Sequence, residues 1–230
     1  LSGRRSSLHG LACRRQDRCG ALGQQVEHFQ FAPALRYLGE LTAAQVRRSL
    51  VEQRIDGIDA NLDELAMAES VDNGKPVSLA RSIDIPRSAR NFRFFASAAI
   101  QFSDSSYNSG RSINYTTSRP LGVVGCISPW NLPLYLFTWK IAPALATGNC
   151  VVAKPSEITP VTAAIFGRIC TEAGLPAGCL NIVHGLGIPV GEAISNHPDI
   201  KAVSFTGSTQ TGRAIAAATA PTFKKVSLEM

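Results

Sequence analysis

The sequence has no apolar run long enough to cross a membrane. The longest candidate, residues 132–147, is interrupted by Trp139, Lys140 and Pro143, whereas a spanning helix needs roughly 18 or more consecutive apolar residues. Only 17% of the residues are charged and 45% are hydrophobic, so there is enough apolar material to offset the entropy of ordering. We therefore expect a soluble, globular protein.

The cysteines lack the spacing of metal or redox motifs. The six cysteines form no Cys-x-x-Cys pair and have no histidine at metal-ligand spacing, so no metal site is predicted. Cys126 and Cys150 lie in apolar, strand-like runs, where a free cysteine acts as a small buried hydrophobe. This usage favours a reducing compartment and predicts a cytoplasmic protein.

Acidic residues are scarce only at the start of the chain. Residues 1–54 contain nine arginines against four acids, whereas the remaining residues contain 14 basic and 13 acidic side chains. The larger part therefore gives no electrostatic support for a nucleic-acid partner. The segment 1–55 can be interpreted as a transit peptide, a nucleic-acid-binding arm or a poorly defined terminus, and the last is favoured.

The second half of the chain alternates short apolar strands with helices. Upstream, we predict a helix over 58–73 closed by Gly74, a helix starting at Pro86, a polar loop over 103–110 and a strand over 112–117. The predicted strands beyond are 123–127, 150–153, 180–183, 202–205 and 226–228. The predicted helices between them are 134–146, 159–173 (capped by Thr159), 190–195 and 209–218. This pattern indicates an α/β fold with a doubly wound, Rossmann-like parallel sheet.

The first two strands are followed by polar clusters at the edge where such sheets bind ligands. Two prolines bracket Trp130 and Asn131 and would fix the Asn131 amide as a hydrogen-bond donor, although Asn131 could instead cap the next helix. Lys154 and Glu157 follow the second strand. They could both reach sugar hydroxyls, or form a solvated salt bridge.

Glycine-rich turns and a carboxylate follow the later strands. The turn from Gly185 to Gly191 nearly matches a dinucleotide fingerprint, but Val190 replaces the third glycine. The segment from Phe205 to Gly212 resembles a phosphate-binding loop without its Lys-Ser/Thr, so nucleotide triphosphate hydrolysis is not expected, yet a helix opening there offers N–H groups to a phosphate. Glu229 ends the last strand, either as a functional carboxylate or as an edge residue facing water.

Together, RPLGVVGCISPWNLP, KPSE, LNIVHGLG, FTGSTQTG and VSLEM resemble the aldehyde dehydrogenase superfamily over about residues 65–230. The resemblance implies that 56–230 is an NAD-binding domain and that the substrate is an aldehyde. The combination of DIPRSARNFRFFA with SPWNLPLYLFTWKIAPAL is most similar to the muconic-semialdehyde dehydrogenases. It further implies a homo-oligomer at full length, with no membrane or nucleic-acid partner.

The resemblance also assigns roles to individual residues. Asn131 corresponds to the oxyanion-hole amide, Glu229 to the general base, and Lys154 with Glu157 to the pair on the adenosine ribose. Ser208 corresponds to the pyrophosphate contact, and Gly185 lies near the adenine. The other expected cofactor-binding residues are Ser128, Pro129, Trp130, Pro155, Ser156, Gly187, Phe205, Thr206 and Gly207.

Two further expectations concern the substrate and the nucleophile. Arg87, at the start of the second helix, is expected to hold a substrate carboxylate, unless it is solvated or pairs with an acid such as Asp84. The family's nucleophilic cysteine lies beyond Glu229, and none of the six cysteines occupies its place. We therefore expect a fragment that is inactive as it stands. The alternative is a non-catalytic nucleotide-binding fragment or pseudoenzyme.

Overall fold

The computed structural model describes residues 54–230, which begin with a group of helices. These are α1 (Arg54–Ala60), α2 (Leu62–Asn73), α3 (Val77–Leu79), a π-helical turn (Ala80–Asp84) and α4 (Ile85–Gln101). The single helix predicted over 58–73 is wrong, because the chain turns at Asn61, whose side-chain Nδ2 donates to the Gly57 carbonyl oxygen at 2.7 Å. Gly74 adopts the left-handed conformation that ends α2 (φ 78°), as predicted. The basic segment, including Cys13 and Cys19, lies outside the described residues.

An exposed hairpin precedes the main sheet. Strands β1 (Ser106–Asn108) and β2 (Ile113–Tyr115) pair in antiparallel fashion. The loop predicted over 103–110 therefore contains a strand, which the sequence concealed because its three residues are all exposed and show no apolar alternation. Tyr107, Ile113 and Tyr115 point their apolar surface at solvent.

The core of the fold is a five-stranded parallel sheet. Its strands are β3 (Val123–Ile127), β4 (Cys150–Lys154), β5 (Leu180–Ile182), β6 (Ile200–Thr206) and β7 (Lys225–Glu229). They lie in the order β5-β4-β3-β6-β7. All residues of β3 and β4 are buried, as expected for strands covered on both faces. The chain runs outward from β3 to β5 and then returns to β6, which pairs with the other side of β3. Because crossovers between parallel strands are right-handed, this reversal places the helices after β5 on the opposite face of the sheet from the earlier ones. The prediction of a doubly wound sheet is confirmed.

The connecting helices cover the sheet. They are α5 (Pro133–Ala146), α6 (Val161–Glu172), a π-helical turn (Gly187–Gly191) leading into α7 (Glu192–Asn196), and α8 (Thr209–Thr219), which continues into a 3₁₀ turn (Ala220–Thr222). The prediction that Thr159 caps α6 is wrong, because the N-cap residue is Pro160. The proline side chain has no hydrogen-bond acceptor and therefore cannot cap the helix. None of the helices within 54–230 has both the length and the apolar character needed to span a bilayer.

The helical group packs on the outer side of α5 and α6. Phe92 of α4 and Phe137 of α5 both contact the ring of Phe166 in α6, with centroid distances of 5.6 and 6.3 Å. Within the sheet, a Cβ on Gly125 would lie 2.4 Å from Cγ2 of Ile194. Glycine at the centre of β3 therefore lets α7 approach the sheet closely.

Candidate active site

The predicted site residues on the sheet gather along one edge. The strand register places Ile127 between Lys154 and Phe205, and pairs Thr206 with Glu229. Because the carboxyl ends of parallel strands share an edge, the loops after all five strands open in the same direction. Gly185 and Glu229 lie at opposite ends of this edge, four strand spacings apart, or about 19 Å. The edge can therefore hold an elongated ligand.

The Asn131 amide is exposed and has no hydrogen-bond partner among the described residues. The alternative in which Asn131 caps the next helix is wrong, since the N-cap of α5 is Leu132. The cause is Pro133, which occupies the first helical position and sets the helix start one residue later than an Asn131 cap would need. The amide thus remains available to a ligand. Trp130 beside it is 54% exposed, and Pro129 is half-buried.

Lys154 and Glu157 form an ion pair. Lys154 Nζ lies 3.0 Å from Glu157 Oε2 and 3.2 Å from the Pro155 carbonyl oxygen. The salt bridge of the alternative interpretation is therefore present, with its Glu157 end solvated: the Lys154 side chain is 4% exposed and Glu157 is 43% exposed. Burial raises the pKa of the Glu157 carboxyl, but a backbone hydrogen bond and Lys154 outweigh it, so the net pKa is lowered. Ser156 accepts from the Ile158 N–H at 3.3 Å.

Four buried side-chain polar atoms have no hydrogen-bond partner among the described residues. They are Ser128 Oγ, Thr159 Oγ1, Thr162 Oγ1 and His184 Nδ1. Burial, with Lys154 nearby, lowers the pKa of His184. A buried hydroxyl or imidazole nitrogen without a partner is uncommon and often marks a place where a ligand or water supplies one.

The glycine turns are shaped by close contacts. Gly185 has a positive φ of 152°, and a Cβ there would lie 2.5 Å from Cγ2 of Val190. Val190, which breaks the fingerprint, therefore packs over Gly185 and closes the turn. No atom lies within 4 Å of the Cβ position of Gly187.

Phe205 is buried beneath the next turn. A Cβ on Gly207 would lie 2.5 Å from Cζ of Phe205. Ser208 is exposed and caps α8 by accepting from the Thr211 N–H at 3.2 Å. Its hydroxyl lies at the positive end of this helix dipole.

Glu229 contacts two neighbours on the edge. Its Oε2 accepts from the Thr206 hydroxyl at 2.7 Å and lies 3.8 Å from Lys140 Nζ. The carboxylate is 60% exposed while the Lys140 side chain is 4% exposed. Glu229 therefore faces water on one side and contacts a buried ammonium group on the other. Burial lowers the pKa of Lys140, and Glu229 and Cys126 partly oppose this. The sequence analysis did not identify Lys140 as a site residue, although a lysine within an otherwise apolar helix indicates a buried charge that needs a partner.

Arg87 lies on helix α4, and not on one of the loops that follow the strands of the sheet. Its guanidinium stacks on the Tyr135 ring, 3.9 Å from the centroid. Tyr135 is in the first turn of α5, the helix that follows Asn131. The alternative that Arg87 pairs with Asp84 is wrong, since Asp84 pairs with Lys75 at 2.6 Å.

The described cysteines are structural in character. Cys126, Cys150, Cys170 and Cys179 are all buried. Burial raises the pKa of the Cys126 thiol to about 12, and Cys179 together with burial raises that of Cys150. A high pKa disfavours the nucleophilic thiolate. Across 54–230, no three His, Cys, Asp or Glu side chains are grouped so as to hold a metal ion.

Residues 34–230 match the model of the aldehyde dehydrogenase family. The chain belongs to this family. Its five-stranded parallel sheet and the spacing of its edge clusters agree with that assignment.

Several individual members of this family are similar to the chain. The chain is 53% identical over 186 residues to 2-aminomuconic semialdehyde dehydrogenase of Danio rerio, covering 80% of this chain and 38% of the relative. It is 48% identical over 198 residues to 2-hydroxymuconic semialdehyde dehydrogenase of a Pseudomonas species, covering 84% and 40%. Among solved structures, PnpE in complex with nicotinamide adenine dinucleotide superposes with a TM-score of 0.82 at 38% identity, covering 92% and 42%. The chain thus spans about two fifths of the length of these proteins.

Proposed function

We propose that this chain is the cofactor-binding part of an NAD-dependent aldehyde dehydrogenase that oxidises a muconic-type semialdehyde to the carboxylic acid. The observation that carries the proposal is the shared edge, which presents the free Asn131 amide, the Glu229 carboxylate and the Lys154–Glu157 pair along one line. The NAD complex of PnpE and the two muconic semialdehyde dehydrogenases support it.

The edge suits a dinucleotide. Lys154 can donate and Glu157 can accept at the two hydroxyls of a ribose, and the start of α8 with Ser208 offers N–H groups to a pyrophosphate. The unpartnered Ser128 Oγ between these positions fits a polar ligand group. When bound, NAD supplies the hydride acceptor.

Two residues of this chain take part in the reaction, at different steps. The Asn131 amide donates to the carbonyl oxygen as negative charge develops there, which preorganised donors stabilise by about 3–4 kcal/mol in comparable sites. The Glu229 carboxylate takes a proton from the water that hydrolyses the cysteine thioester. Thr206 and Lys140 hold that carboxylate in place.

Arg87 gives the site its substrate class. The Tyr135 ring fixes the guanidinium plane, which leaves the N–H groups at its rim free for a bidentate contact to a carboxylate. A muconic semialdehyde carries such a carboxylate in addition to its aldehyde.

None of the four described cysteines, all of them buried, suits the role of nucleophile, and the family resemblance puts that cysteine beyond Glu229. We therefore infer that the 230-residue chain binds the dinucleotide without turning over aldehyde. The whole enzyme is a homo-oligomer in this proposal, and the exposed Ile113 and Tyr115, which share one face of the β1–β2 hairpin, are available for the subunit contact.

Titration calorimetry with NADH, followed by an oxidation assay with NAD and a muconic semialdehyde, tests the proposal on the purified chain. We expect saturable binding that Lys154→Met weakens, and no turnover. Absence of binding would contradict the cofactor role. Turnover that disappears on substituting Cys126 would show that a cysteine we regard as structural is the nucleophile.

A further inference from the structure

Two helices at the candidate site begin without a cap of their own. The N-cap residues of α5 and α6 are Leu132 and Pro160, and neither provides a side-chain acceptor. The first N–H groups of a helix have no partner within the helix, and leaving them buried and unpaired is costly. These two helix starts follow the Asn131 loop and the turn that carries Lys154 and Glu157.

Helix α2 supplies both missing acceptors. Glu69 Oε2 accepts from the Leu134 N–H at 3.3 Å, and Asp72 Oδ2 accepts from the Val161 N–H at 2.9 Å. The i, i+3 spacing of Glu69 and Asp72 places both carboxylates on the same face of α2. One helix surface therefore holds the starts of two helices, and negative charge there also complements the helix dipoles.

The first of these caps is rigid. Glu69 is completely buried, and its second oxygen pairs with Lys75 Nζ at 2.7 Å. The same ammonium pairs with the buried Asp84 at 2.6 Å. Each polar group of the cluster thus has a partner, which fixes the direction of the Glu69 carboxylate.

The Glu69 cap bears directly on Asn131. Leu134 lies three residues after Asn131, so the Glu69 contact to the Leu134 N–H holds the end of the loop that carries the Asn131 amide.

We propose that Glu69 and Asp72 are positioning residues, Glu69 holding the loop that carries the Asn131 amide and Asp72 holding the turn that carries the Lys154–Glu157 pair. The roles of Asn131 and Glu157 rest on the proposed function. The capping itself does not, and it can be measured without activity.

Nuclear magnetic resonance of the ¹⁵N-labelled chain tests the Glu69 part. Glu69→Met keeps the size of the side chain but removes the acceptor, whereas Glu69→Gln removes the charge and keeps a carbonyl acceptor. We expect Glu69→Met to speed hydrogen exchange of the Leu134 N–H at least about tenfold and to shift the side-chain NH₂ signals of Asn131. Glu69→Gln should leave both near their original values.

Asp84→Asn is the matched control, because it weakens the Lys75 cluster without touching the Leu134 N–H. It should lower the melting temperature while leaving the Asn131 signals in place. Equal changes in Asp84→Asn and Glu69→Met, or unchanged Asn131 signals in a folded Glu69→Met, would overturn the role of Glu69. If Glu69→Met does not fold, hydrogen exchange of the Leu134 N–H is measured in the unsubstituted chain instead. Exchange as fast as in an open loop would overturn the proposal.

The Asp72 part has its own readout. Asp72→Leu should raise the Kd for NADH at least about fivefold and leave the Asn131 signals unchanged, whereas Asp72→Asn should restore tight binding. A Kd unaffected by Asp72→Leu overturns this part. If the unsubstituted chain does not bind NADH, the proposed function fails, while exchange of the Val161 N–H still decides whether Asp72 caps α6.

Discussion

Replacing Glu157 by glutamine tests how the chain would choose between NAD and NADP. The Glu157 carboxylate lies 3.0 Å from Lys154 Nζ and is the exposed member of the pair. In the proposed site it accepts from the ribose 2′-hydroxyl of NAD, whereas the 2′-phosphate of NADP brings about 1.5–2 further negative charges to the same place. The wild-type chain should therefore prefer NADH to NADPH.

The size of the preference follows from the exposure of Glu157. Two unit charges about 4 Å apart interact by about 1 kcal/mol in bulk water and by about 4 kcal/mol near a protein surface. Glu157 is 43% exposed and Lys154 offsets part of its charge, so we expect a net penalty of about 1.5–3 kcal/mol, or roughly tenfold to a hundredfold in Kd. Glu157→Gln should remove most of it.

Parallel calorimetric titrations with NADH and NADPH measure this ratio. The net pKa of Glu157 is lowered below its ordinary value of 4.5, so the carboxylate is ionised, and the preference should be constant from about pH 7.5 to pH 9, where the 2′-phosphate is also almost fully charged. High salt should reduce the preference in the unsubstituted chain and have little effect in Glu157→Gln. If Glu157→Gln weakens both dinucleotides equally, charge repulsion is not the cause of selectivity.

Three other substitutions test separate parts of the site. In an enzyme that also carries the nucleophile, Arg87→Ala should raise KM for a muconic semialdehyde at least about tenfold and leave a neutral aliphatic aldehyde unaffected; equal losses would make Arg87 structural. In the same enzyme, Glu229→Gln should slow thioester hydrolysis by about 10²-fold while stopped-flow measurements still show the burst of NADH, and a lost burst would mean that Glu229 acts earlier. Lys140→Met should raise Tm of the chain by about 2–4 °C, because burial disfavours the charged form of Lys140; a lower Tm would show that its ion pair with Glu229 outweighs burial.

The sheet could be predicted because its information is local. The apolar run of β3 matched the prediction at both ends, and β4 extended it only to Lys154. Strands buried on both faces and separated by helices leave few topologies once crossovers are right-handed. The convergence of Asn131, Lys154 and Glu229 on one edge then follows without knowledge of any side-chain contact.

The missed features depend on contacts between distant segments. The cap of α5 could not be anticipated, because Glu69 lies 65 residues before Leu134 and belongs to a helix with its own apolar pattern. Likewise, Lys140 meets Glu229 only because α5 and β7 are brought together by the sheet. At Asn61, a side-chain hydrogen bond to the Gly57 carbonyl competed with the helix, which propensity alone does not reveal.

The capping carboxylates of α2 also have a consequence for the order in which the protein folds. They join residues 65 and 89 positions apart, and such non-local contacts form late because a long loop must first close. During synthesis, however, Glu69 and Asp72 leave the ribosome before the helices they cap. Their carboxylates are therefore already present when α5 and α6 emerge, and the two loops take their final shape as each helix docks against α2.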